Sequence, residues 1–345
     1  MTRVILNTVG TSLLGNAKRA NLQTDDELLE FLQRDPRKAS AETNALDRLL
    51  EPDDRAVMLY SDTPDGERCA RLIARYLERT HPVETERVPG LSYHERGFAQ
   101  HGLRNLVHAL AGRIRTAQRN SHTVLINATG GFKAEIAYAT ALGLVFKVPV
   151  CYIHEAFGDI ITLPATPFGW DHSLILECEA FFEWVDDQPR TTDKVRWRVQ
   201  HLPDTVPMLL EDTPDGFTVL SALGQTYLEA FKTELERSAG VPVLLSVQAR
   251  RDWETFDPVT RAAFSKLLGR LRLENRHARS ELKSGGGDAL GFPKGNVNER
   301  LFYAERDGSL YVFEFVRHGP KYEALCARGL RWHNYPRETF TQLEP

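Results

Sequence analysis

Along residues 1–165, short apolar runs rich in β-branched residues alternate with longer stretches whose apolar positions recur every three or four residues. The runs at 3–8, 56–61, 83–88, 123–127, 149–154 and 159–163 read as strands. The stretches 66–80, 97–118 and 132–146 read as the helices between them. Such alternation predicts an α/β fold, a mostly parallel sheet covered on both faces. From 166 to 240 the pattern loosens, with loops at 186–193 and 203–207 and a turn at 212–216, before an amphipathic helix over 220–235. Beyond 240 it changes again. A strand at 241–247, a helix over 258–273 opened by Asp257-Pro258, and the loop Ser284-Gly-Gly-Gly287 lead into strands 301–305 and 310–316. The turn Arg306-Asp-Gly-Ser309 carries the Asp-Gly hairpin signal. The expected division is 1–165, a helical and irregular connector at 166–240, and a small α+β unit with an antiparallel sheet at 241–345.

Two strand ends carry turn chemistry. The first strand runs into Asn7-Thr-Val-Gly-Thr-Ser-Leu-Leu14, and the fourth into Asn127-Ala-Thr-Gly-Gly-Phe-Lys133. In the second, two glycines allow close approach of the backbone, and the following helix start offers free N–H groups. A lysine in that first turn is opposed by the helix dipole, so a bound phosphate explains it better. Ligands of open α/β sheets sit outside the carboxyl ends of the strands. The candidate ligand residues are therefore Thr8, Gly10, Thr11, Ser12, Asn127, Thr129, Gly130, Gly131 and Lys133. Neither G-x-G-x-x-G nor G-x-x-x-x-G-K-[ST] occurs at these turns.

Charge separates the two ends of the chain. Residues 241–345 hold 17 Lys/Arg against 13 Asp/Glu, a formal +4, whereas the whole chain carries −4, leaving −8 on residues 1–240. A basic C-terminal third points to a polyanionic partner. Cys69, Cys151, Cys178 and Cys326 show neither metal-ligand nor disulfide-framework spacing, so no metal site is expected and a reducing cytoplasm is. No apolar run reaches 18 residues, so no membrane partner is expected.

The pair of motifs Asn7–Leu14 and Asn127–Lys133 resembles the CARF family, the CRISPR-associated Rossmann-like sensors of cyclic oligoadenylates. The resemblance implies a homodimer with one cyclic oligoadenylate across its two-fold axis, an allosteric activator rather than a cofactor. Symmetry alone favours cyclic tetra-adenylate over the tri-adenylate.

The C-terminal unit carries Lys283, Lys294, Arg300-Leu-Phe-Tyr303 and Phe313-Glu-Phe-Val-Arg317-His-Gly-Pro-Lys-Tyr322. Arg300 and Arg317 bracket the hairpin and are expected on one face. Cations with a tyrosine suit metal-independent RNA cleavage, in which the 2′-OH attacks, Lys and Arg stabilise the phosphorane, a lysine of depressed pKa moves a proton, and Tyr322 stacks on a base. The pattern resembles the RelE family of toxin ribonucleases. That resemblance implies an endoribonuclease acting on mRNA at the ribosome, with Arg300, Arg317, Tyr322, Lys294 and Lys283 as candidate catalytic residues; His318 is a candidate without a counterpart in that family. The connector could dock on a ribosomal protein. Two rivals stand beside this reading. Arg272/His277 and Arg328/His333 match the R-x4-H spacing of the all-helical HEPN ribonucleases. Val219–Leu228 resembles part of a winged helix, which would suit a transcription regulator, although 218–236 has Lys232 as its one Lys/Arg.

Overall fold

The computed structural model describes residues 2–92, 98–153, 158–165, 171–295 and 297–343. Gly97 and His154, the expected ends of a helix and a strand, lie outside them. The chain divides into two compact units, Met1–Phe231 and Lys232–Pro345.

The first unit is built on a six-stranded sheet. Its strands are β1 (Arg3–Val9), β2 (Arg55–Ser61), β3 (Val83–Val88), β4 (Thr123–Asn127), β5 (Val150–Ile153) and β6 (Ile160–Leu163), in the order β3-β2-β1-β4-β5-β6. All neighbours are parallel except β5 and β6. The helices are α1 (Ser12–Arg19), α2 (Asp25–Arg34), α3 (Pro36–Ala39), α4 (Ala41–Leu49), α5 (Pro64–Leu77), α6 (Leu103–Arg119) and α7 (Lys133–Phe146). Side chains of β1 alternate between two cores. Ile5 and Val9 join Leu13, Leu28, Leu32 and Ile73, while Val4 and Leu6 join Leu106, Val107, Leu110 and Leu142. Burial on both faces is why β1, β2, β4 and β5 read as apolar runs, while the edge strands β3 and β6 are largely exposed.

The stretch expected to be a helical and irregular connector also contains a small three-stranded sheet. It forms α8 (Ser173–Asp187), β7 (Arg190–Thr191), α9 (Thr192–Val199), a 3₁₀ turn (Val206–Leu209), β8 (Leu210–Asp212), β9 (Phe217–Leu220) and α10 (Ala222–Ser238). The strands pair as β7-β9-β8. This succession is a winged-helix layout whose third helix is a single 3₁₀ turn.

The second unit holds β10 (Val243–Leu245), α11 (Val247–Thr255), α12 (Pro258–Leu271), β11 (Leu290–Phe292), β12 (Glu299–Arg306), β13 (Ser309–Arg317), α13 (Pro320–Arg328) and β14 (Thr341–Gln342). The sheet runs β11-β12-β13-β10-β14, with β10 and β13 parallel and the other pairs antiparallel. The first strand is shorter than its apolar run, because the Ser246 hydroxyl accepts from Ala249 N–H at 3.0 Å and starts α11. Leu301, Tyr303, Val312 and Phe315 pack with Phe264, Leu267 and Leu268 of α12. Phe302, Phe313 and Val316 pack with Tyr322 and Leu325 of α13 on the other face. A five-stranded sheet excludes the all-helical reading of the R-x4-H spacings. Arg272 instead donates to the Val241 carbonyl at 3.1 Å, and His277 pairs with Glu305 at 2.9 Å.

Candidate functional site

In the first unit the two motifs meet because β1 and β4 are parallel neighbours whose register sets Asn7 opposite Asn127. Asn127 Nδ2 donates to Asn7 Oδ1 at 2.8 Å, and Asn127 Oδ1 accepts from the Thr129 hydroxyl at 2.6 Å. Thr129 Oγ1 in turn accepts from Ile153 N–H at 3.1 Å. The Thr8 hydroxyl donates to the Gly130 carbonyl at 2.5 Å. Asn7, Thr8 and Asn127 are fully buried. Of the residues expected to touch a ligand, Thr8 and Asn127 therefore spend polar atoms tying the two motifs together, and the Thr129 hydroxyl ties its own loop to β5.

Two further residues, absent from the expected set, complete the site. Glu42 of α4 is fully buried; its Oε1 accepts from Gly10 N–H and its Oε2 from the Ser12 hydroxyl, each at 2.8 Å. The Gly10 N–H and Ser12 hydroxyl are thus already engaged. Glu135, third residue of α7 and 2% exposed, accepts from the backbone N–H of Phe132, the return arm of a capping box. Burial, reinforced by the Glu42 charge, pushes its carboxyl up to about 7. Gly130 leaves no room for a side chain, since a β-carbon there would collide with the Glu42 carboxylate and lie 2.6 Å from the Thr8 carbonyl. Phe132 and Lys133 face solvent, and Thr11, Ser12, Thr129 and Gly131 are half-buried. Phe132 is 40% exposed and meets Phe98 edge-on at 6.0 Å. An ammonium, an aromatic ring and a helix N-terminus form the outer surface of the loop, a combination suited to phosphate and base together.

In the second unit four of the six candidates gather. The Arg300 guanidinium lies 4.8 Å from the Tyr322 ring centre, the Lys283 ammonium 5.3 Å and the His318 ring 5.4 Å. Glu281, missed in the sequence, binds the Lys283 ammonium and pairs with Arg300 at 3.3 Å. Burial acts to lower the Lys283 pKa, but hydrogen bonds to Glu281 and the Tyr322 hydroxyl outweigh it and hold the amine above its ordinary value. That departs from the expected depressed lysine, and leaves Lys283 a fixed positive charge.

Arg300 is 5% exposed and donates to the carbonyls of Val297, Pro293 and Gly295. It organises the cluster from within. Tyr322 is nearly buried, with Phe302, Arg300 and His318 around its ring, so the expected stacking of a base on it is not available in this arrangement. Arg317 lies elsewhere. Arg300 stands opposite Val316 and Arg317 opposite Glu299, so the two arginines occupy opposite faces of the hairpin rather than one. Arg317 donates to Thr260 at 2.6 Å and pairs with Glu299 at 3.3 Å. Lys294 is exposed on the loop before β12. A separate group joins buried Glu314 to Lys321 at 3.0 Å and to the Tyr335 hydroxyl at 2.8 Å.

Residues 37–166 match the family described as CRISPR-associated protein (Cas_APE2256). The segment contains α4, β4 and α7, and with them Glu42, Glu135 and the second motif. Two solved structures are similar at low identity. Can2 from Sulfobacillus thermosulfidooxidans in complex with cyclic tetra-adenylate is 10% identical, with a TM-score of 0.27, over 93% of this chain and 83% of that one. Protein VC1899 from Vibrio cholerae is 9% identical, with a TM-score of 0.30, over 91% of this chain and 77% of that one.

Proposed function

We propose that this protein is a cyclic oligoadenylate-gated endoribonuclease of CRISPR defence. The observation that carries the sensor half is the meeting of the Gly10–Ser12 and Gly130–Lys133 loops at the carboxyl ends of adjacent parallel strands. The match of residues 37–166 to a CRISPR-associated family supports it. Lys133 and the α7 N-terminus take a ligand phosphate, and Phe132 takes an adenine. In a homodimer the two-fold axis doubles each donor, which favours cyclic tetra-adenylate.

The second unit is the ribonuclease, with mRNA on the ribosome as its substrate. The substrate 2′-OH attacks the adjacent phosphorus, the bond from phosphorus to the 5′-oxygen breaks, and the products are a 2′,3′-cyclic phosphate and a 5′-hydroxyl. Lys283, held charged by Glu281 and Tyr322, stabilises the phosphorane. His318, the exposed imidazole of the cluster, takes the proton of the attacking 2′-OH and delivers a proton to the leaving 5′-oxygen, so none is gained or lost over the step. Arg300 is a positioning residue for Tyr322 and Glu281. Ligand binding to the sensor raises the population of cleavage-competent protein.

The winged-helix layout of 173–220 favours a transcription regulator as second reading. Its 3₁₀ turn, Val-Pro-Met-Leu, supplies no cation where a recognition helix would enter the groove, which weighs against that reading. The deciding experiment is cleavage of ribosome-bound mRNA with and without cyclic tetra-adenylate. Cleavage in the ligand arm alone is expected; equal cleavage in both arms overturns the gating, and none in either overturns the nuclease.

A further inference from the structure

A loop that receives phosphates has two acids directly behind it. Glu42 and Glu135 are 0% and 2% exposed, and they approach the loop under successive residues. A β-carbon on Gly130 would strike the Glu42 carboxylate, and one on Gly131 the Glu135 carboxylate. Glu42 has a structural use, since it orients Gly10 N–H and the Ser12 hydroxyl. Glu135 needs one of its oxygens for the Phe132 N–H. Nothing in either contact requires both groups to be ionised, and two buried carboxylates that feel each other's charge ionise together only at high cost.

Among the described residues, Glu42 is the charged group that acts on Glu135. From α4 it raises the Glu135 pKa beyond the effect of burial. The β1 loop presents Gly10, Thr11 and Ser12, none titratable. Its own first turn carries Lys133, whose side chain is exposed. An anion arriving at Gly131–Lys133 adds a second negative charge on the solvent side and favours neutral Glu135 further.

We propose that Glu42 and Glu135 form a proton-holding pair behind the loop, and that a phosphorylated ligand binds together with one proton, which Glu135 takes up. Glu42 is the positioning residue of the pair and Glu135 the proton acceptor. The proposal rests on the reading of this loop as the ligand site. By reciprocity, raising the pH weakens ligand binding as Glu135 ionises in the free protein.

Calorimetric titration of the full chain with cyclic tetra-adenylate, in paired buffers of different ionisation heat, tests it. At pH 8 the binding heat is expected to depend on the buffer, with uptake approaching one proton per site; at pH 6 the dependence nearly vanishes. Affinity is expected to fall by up to about tenfold per pH unit above ~7. Glu135→Gln is expected to bind without buffer dependence or pH slope. Glu42→Gln removes the neighbouring charge and moves the onset of uptake to lower pH, a second readout should the first variant fold poorly. Tight binding with buffer-independent heat at pH 8 overturns the proton linkage and leaves the ligand reading standing. Unchanged uptake in Glu135→Gln overturns the assignment to Glu135. Absence of binding at both pH values overturns the ligand reading and the linkage with it.

Discussion

The Asn127 amide donates to the Asn7 side-chain oxygen across the β1–β4 pair at 2.8 Å, with both residues closed off from solvent. Parallel register alone would align the strands, but this bond fixes the two loop origins at one level. Asn127 also holds the Thr129 hydroxyl, so truncation strands the buried Asn7 oxygen and the half-buried Thr129 hydroxyl. Asn127→Ala is expected to lose about 1–3 kcal/mol of stability in urea unfolding. It is also expected to bind cyclic tetra-adenylate poorly, because the loops lose their common anchor. A variant of unchanged stability would show that this bond is dispensable.

The glycines of the loop differ from glycines elsewhere in the same unit. At Gly130 a methyl group meets the Glu42 carboxylate and the Thr8 carbonyl, whereas at Gly15, inside α1, it meets open space. Gly130→Ala is expected to cost roughly 1–3 kcal/mol by overpacking. Gly15→Ala is expected to gain about 0.5–1 kcal/mol from helix propensity. Thermal melts of the two variants check the contrast, and equal shifts would argue against a tightly packed loop.

Lys133 is the exposed cation of the same site, so its removal separates binding from folding. Lys133→Ala is expected to leave the melting temperature unchanged and to weaken cyclic tetra-adenylate binding about tenfold or more. The salt dependence of binding should flatten as well, since a lost phosphate contact lowers the slope. Titrations at low and high salt measure both effects. An unchanged slope would place the phosphate elsewhere.

How much of this was legible beforehand depended on whether the signal was local. Strands β1, β2, β4 and β5 of the first sheet are buried on both faces and announce themselves as apolar runs, and the hairpin of the second unit carries its own Asp-Gly turn. The loops were visible as glycines at strand ends. Glu42 was not, because it reaches Gly10 from 32 residues further along the chain, through tertiary packing alone. Glu135 had a local signature, a glutamate at the third helical position, which reads first as a cap. The face assignment of Arg300 and Arg317 failed for a related reason. Bracketing a hairpin does not fix the side of the pleat, and the pairing register sets the two apart. The winged-helix strands of 190–220 are only two to four residues long, too short for alternation to show.

That separation of the arginines has a kinetic consequence. Arg300 is buried in contacts to three carbonyls and to Tyr322, while Arg317 is half exposed on the α12 face. Arg300→Ala is expected to destabilise the second unit by about 3 kcal/mol or more, because Glu281 loses a partner and the carbonyls lose their donor. Lys283→Ala is expected to reduce cleavage of ribosome-bound mRNA roughly 10²-fold with little change in stability. Arg317→Ala is expected to cleave within a few-fold of wild type. Loss of cleavage in Arg317→Ala with intact folding would move the site to the α12 face.

Glu135 also makes stability depend on pH, with a sign opposite to that of most carboxylates. Its folded pKa, pushed up to about 7 by burial first and Glu42 second, lies above its ordinary 4.5. Between those values the folded chain holds a proton that the unfolded chain has released, so stability falls as pH rises through this window. The contribution is fully present below about pH 4.5 and lost above about pH 7, a difference on the order of 3 kcal/mol. Glu135→Gln keeps the capping oxygen and removes the titration. Urea unfolding at pH 5 and pH 8 is expected to show the wild type losing ground to the variant by about that amount. Parallel behaviour of the two proteins across this range would mean that Glu135 stays ionised beside Glu42.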